Sequence, residues 1–388
     1  MKIALFSDTF APQWNGVANT VKNSARALSE IGHEVRVYTV SEKSGKNLTE
    51  ESEGMFTVVT MPSSSLLIYP GERLYLPVGL SLKNLSEFKP DVIHVHTPFA
   101  VGFEGVLSAR VLGIPLVGTH HTFFDHYLKH VYLDYKWARN LSWKSTVLFY
   151  NRMDFVISPT QSLRDGLLQS GLKKPVELLS NSIDMKVFKS SGGQGEVMRN
   201  NKSVIYFGRI SYEKSIDEVV LSMEKVVRKI PKASLVIIGD GPEKSKLMEL
   251  VITLGLEDNV VFTGLLRGQA LFDAVSRGGI FVTASKSENM PLSVLEAESV
   301  GLPIVAISSL GMSEIVEDNG NGFLLSNENR EKTIESLAQS IIKLLEEDKL
   351  REKFGARSLE ISQKYSEKEI TKKLGDIYQN AIKLKKKK

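Results

Sequence analysis

Short apolar runs alternate with amphipathic stretches along most of the chain. Lys2 to Ser7 is a run of apolar and small residues, after which Val17, Val21, Ala25, Leu28 and Ile31 recur at helical spacing until Gly32 ends the element. The pattern predicts strand, loop, helix. Further strands are predicted at Glu34 to Val40 (EVRVYTV), Asp91 to His96 (DVIHVH), Ile114 to Gly118 (IPLVG) and Asp154 to Ser158 (DFVIS). Strands alternating with helices imply a parallel α/β sheet.

The alternation breaks over residues 186–202, KVFKSSGGQGEVMRNNK, which is polar, glycine-rich and without period, as an interdomain connection would be. It then resumes. Strands are predicted at Val204 to Phe207, Leu235 to Gly239, Val260 to Thr263, Ile280 to Ala284 and Pro303 to Ile307, with helices near Ile216 to Lys229 and Lys244 to Leu254. A last helix places Ile370, Leu374, Ile377 and Ala381 on one face before a lysine-rich tail. The expected organisation is an α/β domain over 1–185, a linker over 186–202, a second α/β domain over 203–365, and a helix with a basic tail over 366–388 that could cover either domain.

Length agrees, since 388 residues exceed what one core usually organises. With 42% apolar and 24% charged residues the chain is globular, and a net charge of +4 is too mild to require nucleic acid as a partner. The absence of cysteine excludes a disulfide scaffold, a thiolate nucleophile and a Cys-ligated metal. Asp8 follows Lys2 too soon for a signal peptide, and no apolar stretch approaches the roughly 20 residues of a spanning helix. A cytoplasmic protein is expected, with attachment to a membrane surface allowed.

The candidate chemistry sits where strands end. In a doubly wound sheet the loops at the strands' carboxyl ends border the ligand crevice, and a helix N-terminus there offers unpaired N–H groups to an anion. In the first such loop, DTFAPQWNGVANTV, Gly16 would admit a phosphate or sugar close to the backbone, or simply permit a tight turn. His94 and His96 end one strand, and His120 and His121 the next; this clustering favours a site over isolated structural histidines, and metal ligation is the competing reading. After the strand at 204–207, Arg209 and Lys214 suit a diphosphate, Arg by bidentate hydrogen bonds and Lys as a point charge, or else form a solvated basic turn. Gly239, Asp240 and Gly241 make a turn. In SKSENMPLSVLEAESVGLP, Glu288 precedes a helix that Pro291 would start and Glu296 lies about one turn inside it, so both carboxylates can hold sugar or ribose hydroxyls.

Taken together, SDTFAPQWNGVANTV, HTPFAVG, THHTFFDHYL, PTQSLRDGL, SNSID, GRISYEK, GDGPEK, VVFTG and the E-x7-E segment from Glu288 to Glu296 resemble the retaining nucleotide-sugar glycosyltransferases of family 4. The resemblance spans essentially the whole chain and is nearest to monoglycosyl diacylglycerol synthases, membrane-surface enzymes. It implies the GT-B fold, two Rossmann-like domains with parallel sheets facing a cleft. It implies that Gly16 meets the donor's diphosphate or sugar and that His121 contacts the sugar near the reacting carbon. Arg209 and Lys214 would neutralise the leaving diphosphate, Glu288 would bind sugar hydroxyls and Glu296 the uridine ribose, with Gly241 and Leu292 completing the donor site. The implied catalytic pair is His121 and Glu288. The donor would be UDP-glucose or UDP-galactose and the acceptor 1,2-diacylglycerol at the inner face of the membrane. Another lipid, a polysaccharide precursor or a small molecule is the alternative acceptor.

Two departures stand out: Met290 and Pro291 replace a frequent Phe-Gly, removing one amide donor, and Asn181-Ser182 replaces Asn-Gly. The chain contains no Asp-x-Asp tripeptide, the usual diphosphate-metal motif, so no metal or other cofactor is expected. A dinucleotide oxidoreductase would need a GxGxxG in the first loop, which is lacking there. A non-catalytic sugar-nucleotide binder is the third reading. For the membrane, Lys129 to Arg152 interleaves Lys129, Lys136, Arg139, Lys144 and Arg152 with Tyr132, Tyr135, Trp137, Trp143 and Phe149, suiting a helix on an anionic bilayer or a core helix. Lys383 and Lys385 to Lys388 add a cationic tail.

Overall fold

A computed structural model describes residues 1–11, 13, 15–44, 48–65, 73–121, 135–183, 202–309 and 311–386. The chain divides into two compact units, Met1–Ser182 together with Glu367–Lys388, and Ile183–Ser366. The expected linker lies almost wholly outside the described residues.

In the first unit the elements run β1 (Lys2–Phe6), α1 (Gly16–Glu30), β2 (Glu34–Ser44), β3 (Thr49–Glu53), β4 (Phe56–Ser65), β5 (Arg73–Leu74), α2 (Leu82–Phe88), β6 (Val92–Val95), α3 (Ala100–Leu112), β7 (Leu116–Thr119), α4 (Lys136–Tyr150), β8 (Phe155–Ser158), α5 (Gln161–Gln169) and β9 (Val176–Leu178). The strands are ordered β3-β4-β2-β1-β6-β7-β8-β9, with β5 on β4. Pairing is parallel from β4 through to β9, but β3 and β5 run antiparallel to β4, so the expected parallel sheet carries an antiparallel edge. Strand β1 shows why parallel strands read as continuous apolar runs: Ala4 and Phe6 enter the core on one face of the sheet, Ile3 and Leu5 that on the other.

The second unit runs β10 (Ser203–Phe207), α6 (Ile216–Lys229), β11 (Ser234–Ile238), α7 (Lys244–Thr253), β12 (Val260–Gly264), α8 (Gly268–Ser276), β13 (Ile280–Thr283), α9 (Leu292–Ser299), β14 (Ile304–Ile307), β15 (Gly322–Leu325), α10 (Arg330–Glu346) and α11 (Asp348–Ser362). Its sheet is wholly parallel, ordered β12-β11-β10-β13-β14-β15. This is the doubly wound order, whose direction reverses between β10 and β13.

The last helix, α12 (Glu367–Lys386), belongs to the first unit. Ile370, Leu374, Ile377, Tyr378 and Ala381 are buried with Ile3, Leu5, Val92, Val117 and Ile157, so its apolar face covers one side of that unit's sheet. Two ion pairs flank it, Arg26 to Glu367 at 2.7 Å and Lys385 to Asp154 at 3.4 Å. Lys385 is thereby tied to the unit rather than belonging to a loose tail, and the helix continues to Lys386; Lys387 and Lys388 lie outside the described residues.

Candidate functional site

In the second unit the reversal of strand order parts the loop after β10 from the loop after β13, and these carry the charged residues. After β10, Gly208 and Arg209 lead into a single 3-10 turn, Tyr212–Lys214, and then α6. Arg209 is exposed and holds no ion pair among the described residues; its carbonyl accepts a hydrogen bond from the Tyr206 hydroxyl at 3.0 Å. After β13 the loop carries Glu288 and ends at Pro291, the N-cap of α9. Lys214 and Glu288 are brought together as an ion pair, both partly buried. A second pair, unforeseen in the sequence, joins the same segments: Lys286 meets the buried Glu218 at 2.7 Å. Nothing in the pattern around Lys286 announces a partner 68 residues away.

Glu296 lies inside α9, as expected from its spacing. It keeps some exposed surface, yet desolvation pushes its carboxyl up to about 8, and it forms no ion pair among the described residues. Leu292, also partly exposed, opens the same helix. Next to Lys214 in the chain, Glu213 is pushed up by burial but held below the usual carboxylate range by the Ser211 hydroxyl, a backbone N–H and the charges of Lys214 and Arg209.

The glycines after β11 have a definite cause. A Cβ on Gly239 would lie 1.9 Å from the Gly208 carbonyl, and one on Gly241 2.1 Å from that of Ile210. Gly241 therefore lets the turn after β11 press against the Arg209 loop. Gly16 is different: it is the first residue of α1, and a Cβ there would meet nothing within 4 Å. Among the described residues, no tight turn or packing requires this glycine. The Asn15 side chain caps α1 by accepting from the Ala18 N–H at 2.8 Å.

In the first unit, strand order reverses between β1 and β6, and the histidines stand at the ends of β6 and β7. His94 is fully enclosed, with Nδ1 2.8 Å from the Tyr378 hydroxyl of α12 and Nε2 2.7 Å from Oγ1 of Thr119. The His96 ring lies tilted by 35° against it, with centroids 4.0 Å apart, and places Nδ1 3.1 Å from Nε2 of His121. Desolvation pushes His94 and His120 down to about 3 and His121 to about 4, and His96 well below the ordinary histidine value, so all four rings are neutral near pH 7. Among the described residues no three His, Asp or Glu side chains gather as a metal would need.

Asp8 also escapes the sequence patterns. Its carboxylate accepts from the Thr97 hydroxyl at 2.6 Å and from the Val101 N–H at 2.8 Å, capping α3 and tying the end of β1 to the loop after β6. The position of an acid just past a buried strand was its only signal.

The basic aromatic stretch divides on inspection. Residues 122–134, with Lys129 and Tyr132, lie outside the described residues. Phe149 is buried, and Trp143 packs so closely on Gly166 that a Cβ there would lie 2.6 Å from the indole, so these two are core rather than membrane contacts. Tyr135, Trp137, Leu141 and Leu148 are exposed.

Comparison with known proteins covers both units. The family described as Glycosyltransferase Family 4 matches residues 14–187, and Glycosyl transferases group 1 matches residues 194–360. Sulfoquinovosyl transferase SQD2 of Arabidopsis thaliana is 30% identical over 398 aligned positions, covering 98% of this chain and 74% of that one. Alpha-monoglucosyldiacylglycerol synthase of Streptococcus pneumoniae is 26% identical over 345, covering 84% and 76%. Among solved structures, sucrose-phosphate synthase from Thermosynechococcus elongatus superposes with a TM-score of 0.78 at 19% identity, covering 98% of both chains. Anabaena HepE, solved with UDP and glucose, gives 0.74 at 19% identity, covering 98% and 100%. Two parallel-sheet units of this topology, matched along their length by these families and by a relative at 30% identity, place the chain in glycosyltransferase family 4, with the GT-B fold.

Proposed function

We propose that this glycosyltransferase moves glucose or galactose, with retention, from a UDP-sugar to 1,2-diacylglycerol at an anionic membrane face, here the cytoplasmic one. The observation that carries the lipid acceptor is the outer surface of α3. Its exposed positions are Phe103, Leu107, Arg110 and Val111, so what faces water is apolar apart from one cation. The helix's only acid, Glu104, is fully buried and accepts from the Gly79 N–H at 2.9 Å and the Ser81 N–H at 2.9 Å, holding against α3 a loop that exposes Leu76, Val78 and Leu80. On α4 the exposed Trp137, Leu141 and Leu148 are accompanied by Lys136, Arg139 and Lys144, and that helix contains no acid. Two helices whose exposed faces carry apolar side chains and cations but no acid suit anionic lipid headgroups over a hydrocarbon layer. Among the described residues no helix is long and apolar enough to cross a membrane.

On the donor side, Arg209 and Lys214 serve the diphosphate, Glu288 the sugar hydroxyls, Glu296 the ribose, with Gly16, Gly241 and Leu292 lining the donor and His121 touching the sugar. The bond from the anomeric carbon to the diphosphate breaks while the acceptor oxygen bonds to the same face. The acceptor's proton passes to the departing phosphate oxygen. The two cations stabilise the charge that develops there, the task a metal performs in other transferases. EDTA is accordingly expected to leave turnover intact, and loss restored only by a divalent ion would overturn this part.

The deciding experiment offers radiolabelled UDP-glucose, UDP-galactose and GDP-mannose separately to the purified protein with mixed liposomes and soluble acceptors. Label in an α-monohexosyl diacylglycerol from a UDP-sugar is expected. Label only in a water-soluble product, in another lipid, or from GDP-mannose alone would overturn the reading.

A further inference from the structure

His96 has no part in the chemistry above, yet it is 3% exposed and touches the residue assigned to the sugar. Its Nδ1 lies 3.1 Å from Nε2 of His121, the two rings being nearly parallel with centroids 5.3 Å apart. Its own Nε2 is buried and, among the described residues, meets no hydrogen-bonding group. A neutral imidazole carries one N–H and one lone pair. If the proton sat on Nε2, a buried N–H would be left without an acceptor. If it sits on Nδ1, only a lone pair goes unmet, and orphaned buried donors are the rarer and costlier arrangement. The proton of His96 is therefore on Nδ1, donated to Nε2 of His121. A neutral His121 that accepts at Nε2 must carry its own proton on Nδ1.

We propose that His96 is a positioning residue that locks His121 in the Nδ1–H tautomer, making His121 a hydrogen-bond donor to the transferred sugar and not a base. The floor of the stack is fixed, since His94 beneath His96 is held at both nitrogens by Tyr378 and Thr119. A His121 locked in this way cannot take the acceptor hydroxyl's proton at Nδ1, which leaves the diphosphate oxygen as its destination. The sugar contact rests on the functional reading above; the tautomer rests on the geometry of two buried, neutral rings.

The test pairs spectra with kinetics. Long-range proton–nitrogen correlation on protein with 15N-labelled histidine separates protonated from lone-pair ring nitrogens. His121 is expected as Nδ1–H in the intact protein and in His96→Asn, whose amide N–H stands where Nδ1–H stood. In His96→Gln, whose amide reaches the Nε2 position instead, and in His96→Leu, a tautomer mixture is expected. For these two, kcat should fall about tenfold, the worth of one hydrogen bond, with donor KM unchanged. His96→Asn should restore kcat. The proposal is overturned if His121 carries its proton on Nε2 in the intact protein, or if folded Asn and Gln variants share one tautomer pattern and one kcat. Absence of sugar transfer by the intact protein would overturn the functional reading and the sugar contact with it, while the spectra would still decide the tautomer.

Discussion

Lys214 and Glu288 neutralise one another in the partly buried floor of the second unit's loops. In the donor site proposed above, a diphosphate that reaches Lys214 must draw it from that carboxylate, which would leave Glu288 to the sugar hydroxyls. Glu288→Gln is therefore expected to lower turnover by about 100-fold, in the range for removal of a polar transition-state contact. Its affinity for UDP alone, measured by calorimetry, should be no weaker than that of the intact protein; weaker binding would show that the pair does not compete with the diphosphate. Glu296 supplies a prediction with a sign. Its carboxyl holds a proton up to about 8 in the folded chain against 4.5 in the unfolded one, so the stability it lends is complete below 4.5 and is lost as pH rises toward 8. Ribose hydroxyls donate hydrogen bonds and favour the ionised form, so UDP binding near pH 7 should release a proton. Calorimetry in buffers of different ionisation enthalpy would detect it, and Glu296→Gln should abolish it. The charged residues at the strand ends were legible because charge stands out just after an apolar run. The clustering of the four histidines was legible as well, but their contacts with one another and with Tyr378, like the pairing of Lys286 with Glu218, were not, since the partners come from distant segments and only three-dimensional proximity reveals them.

Elements differ in how plainly the pattern marks them. Strands β1, β6, β10 and β13 are apolar on both faces because helices cover both sides, and such runs declare themselves. Strand β3, TEESE, has no hydrophobic residue and is almost wholly exposed; only pairing with β4 makes it a strand, so pattern alone passes over it. Helix α3 has the opposite ambiguity. Its apolar residues surround the axis, as in a buried helix, and only the structure shows that Phe103, Leu107 and Val111 face outward. Val111→Glu and Leu148→Glu, both at exposed sites, should leave the melting temperature unchanged while lowering binding to anionic vesicles roughly tenfold each. Flotation with anionic and neutral vesicles at low and high salt checks this. Variants that float like the intact protein, or a preference for neutral vesicles at every salt concentration, would remove the membrane from this face.

At the scale of the whole molecule the notable fact is discontinuity: the first unit is built from Met1–Ser182 and Glu367–Lys388, with the second unit inserted between them in sequence. The spacing of Ile370, Leu374, Ile377 and Ala381 predicts the helix but not which sheet receives it. That choice depends on a matching face and on the contacts of Glu367, Tyr378 and Lys385 with Arg26, His94 and Asp154. Leu374→Ala should cost about 2–5 kcal/mol, a large share of a domain's stability. Hydrogen exchange should then quicken in β1 and β6 while β10 and β13 keep their protection. Equal loss in both sets would mean that the two units unfold as one. The same insertion orders events on the ribosome. Synthesis proceeds at about 5–20 residues per second, so the face made by Ile3 and Leu5 waits about 10–40 seconds, while the entire second unit is translated, before its covering helix exists. The part begun first is finished last, and a chaperone that shields the open sheet during that interval would find its target in nascent chains and not in released protein.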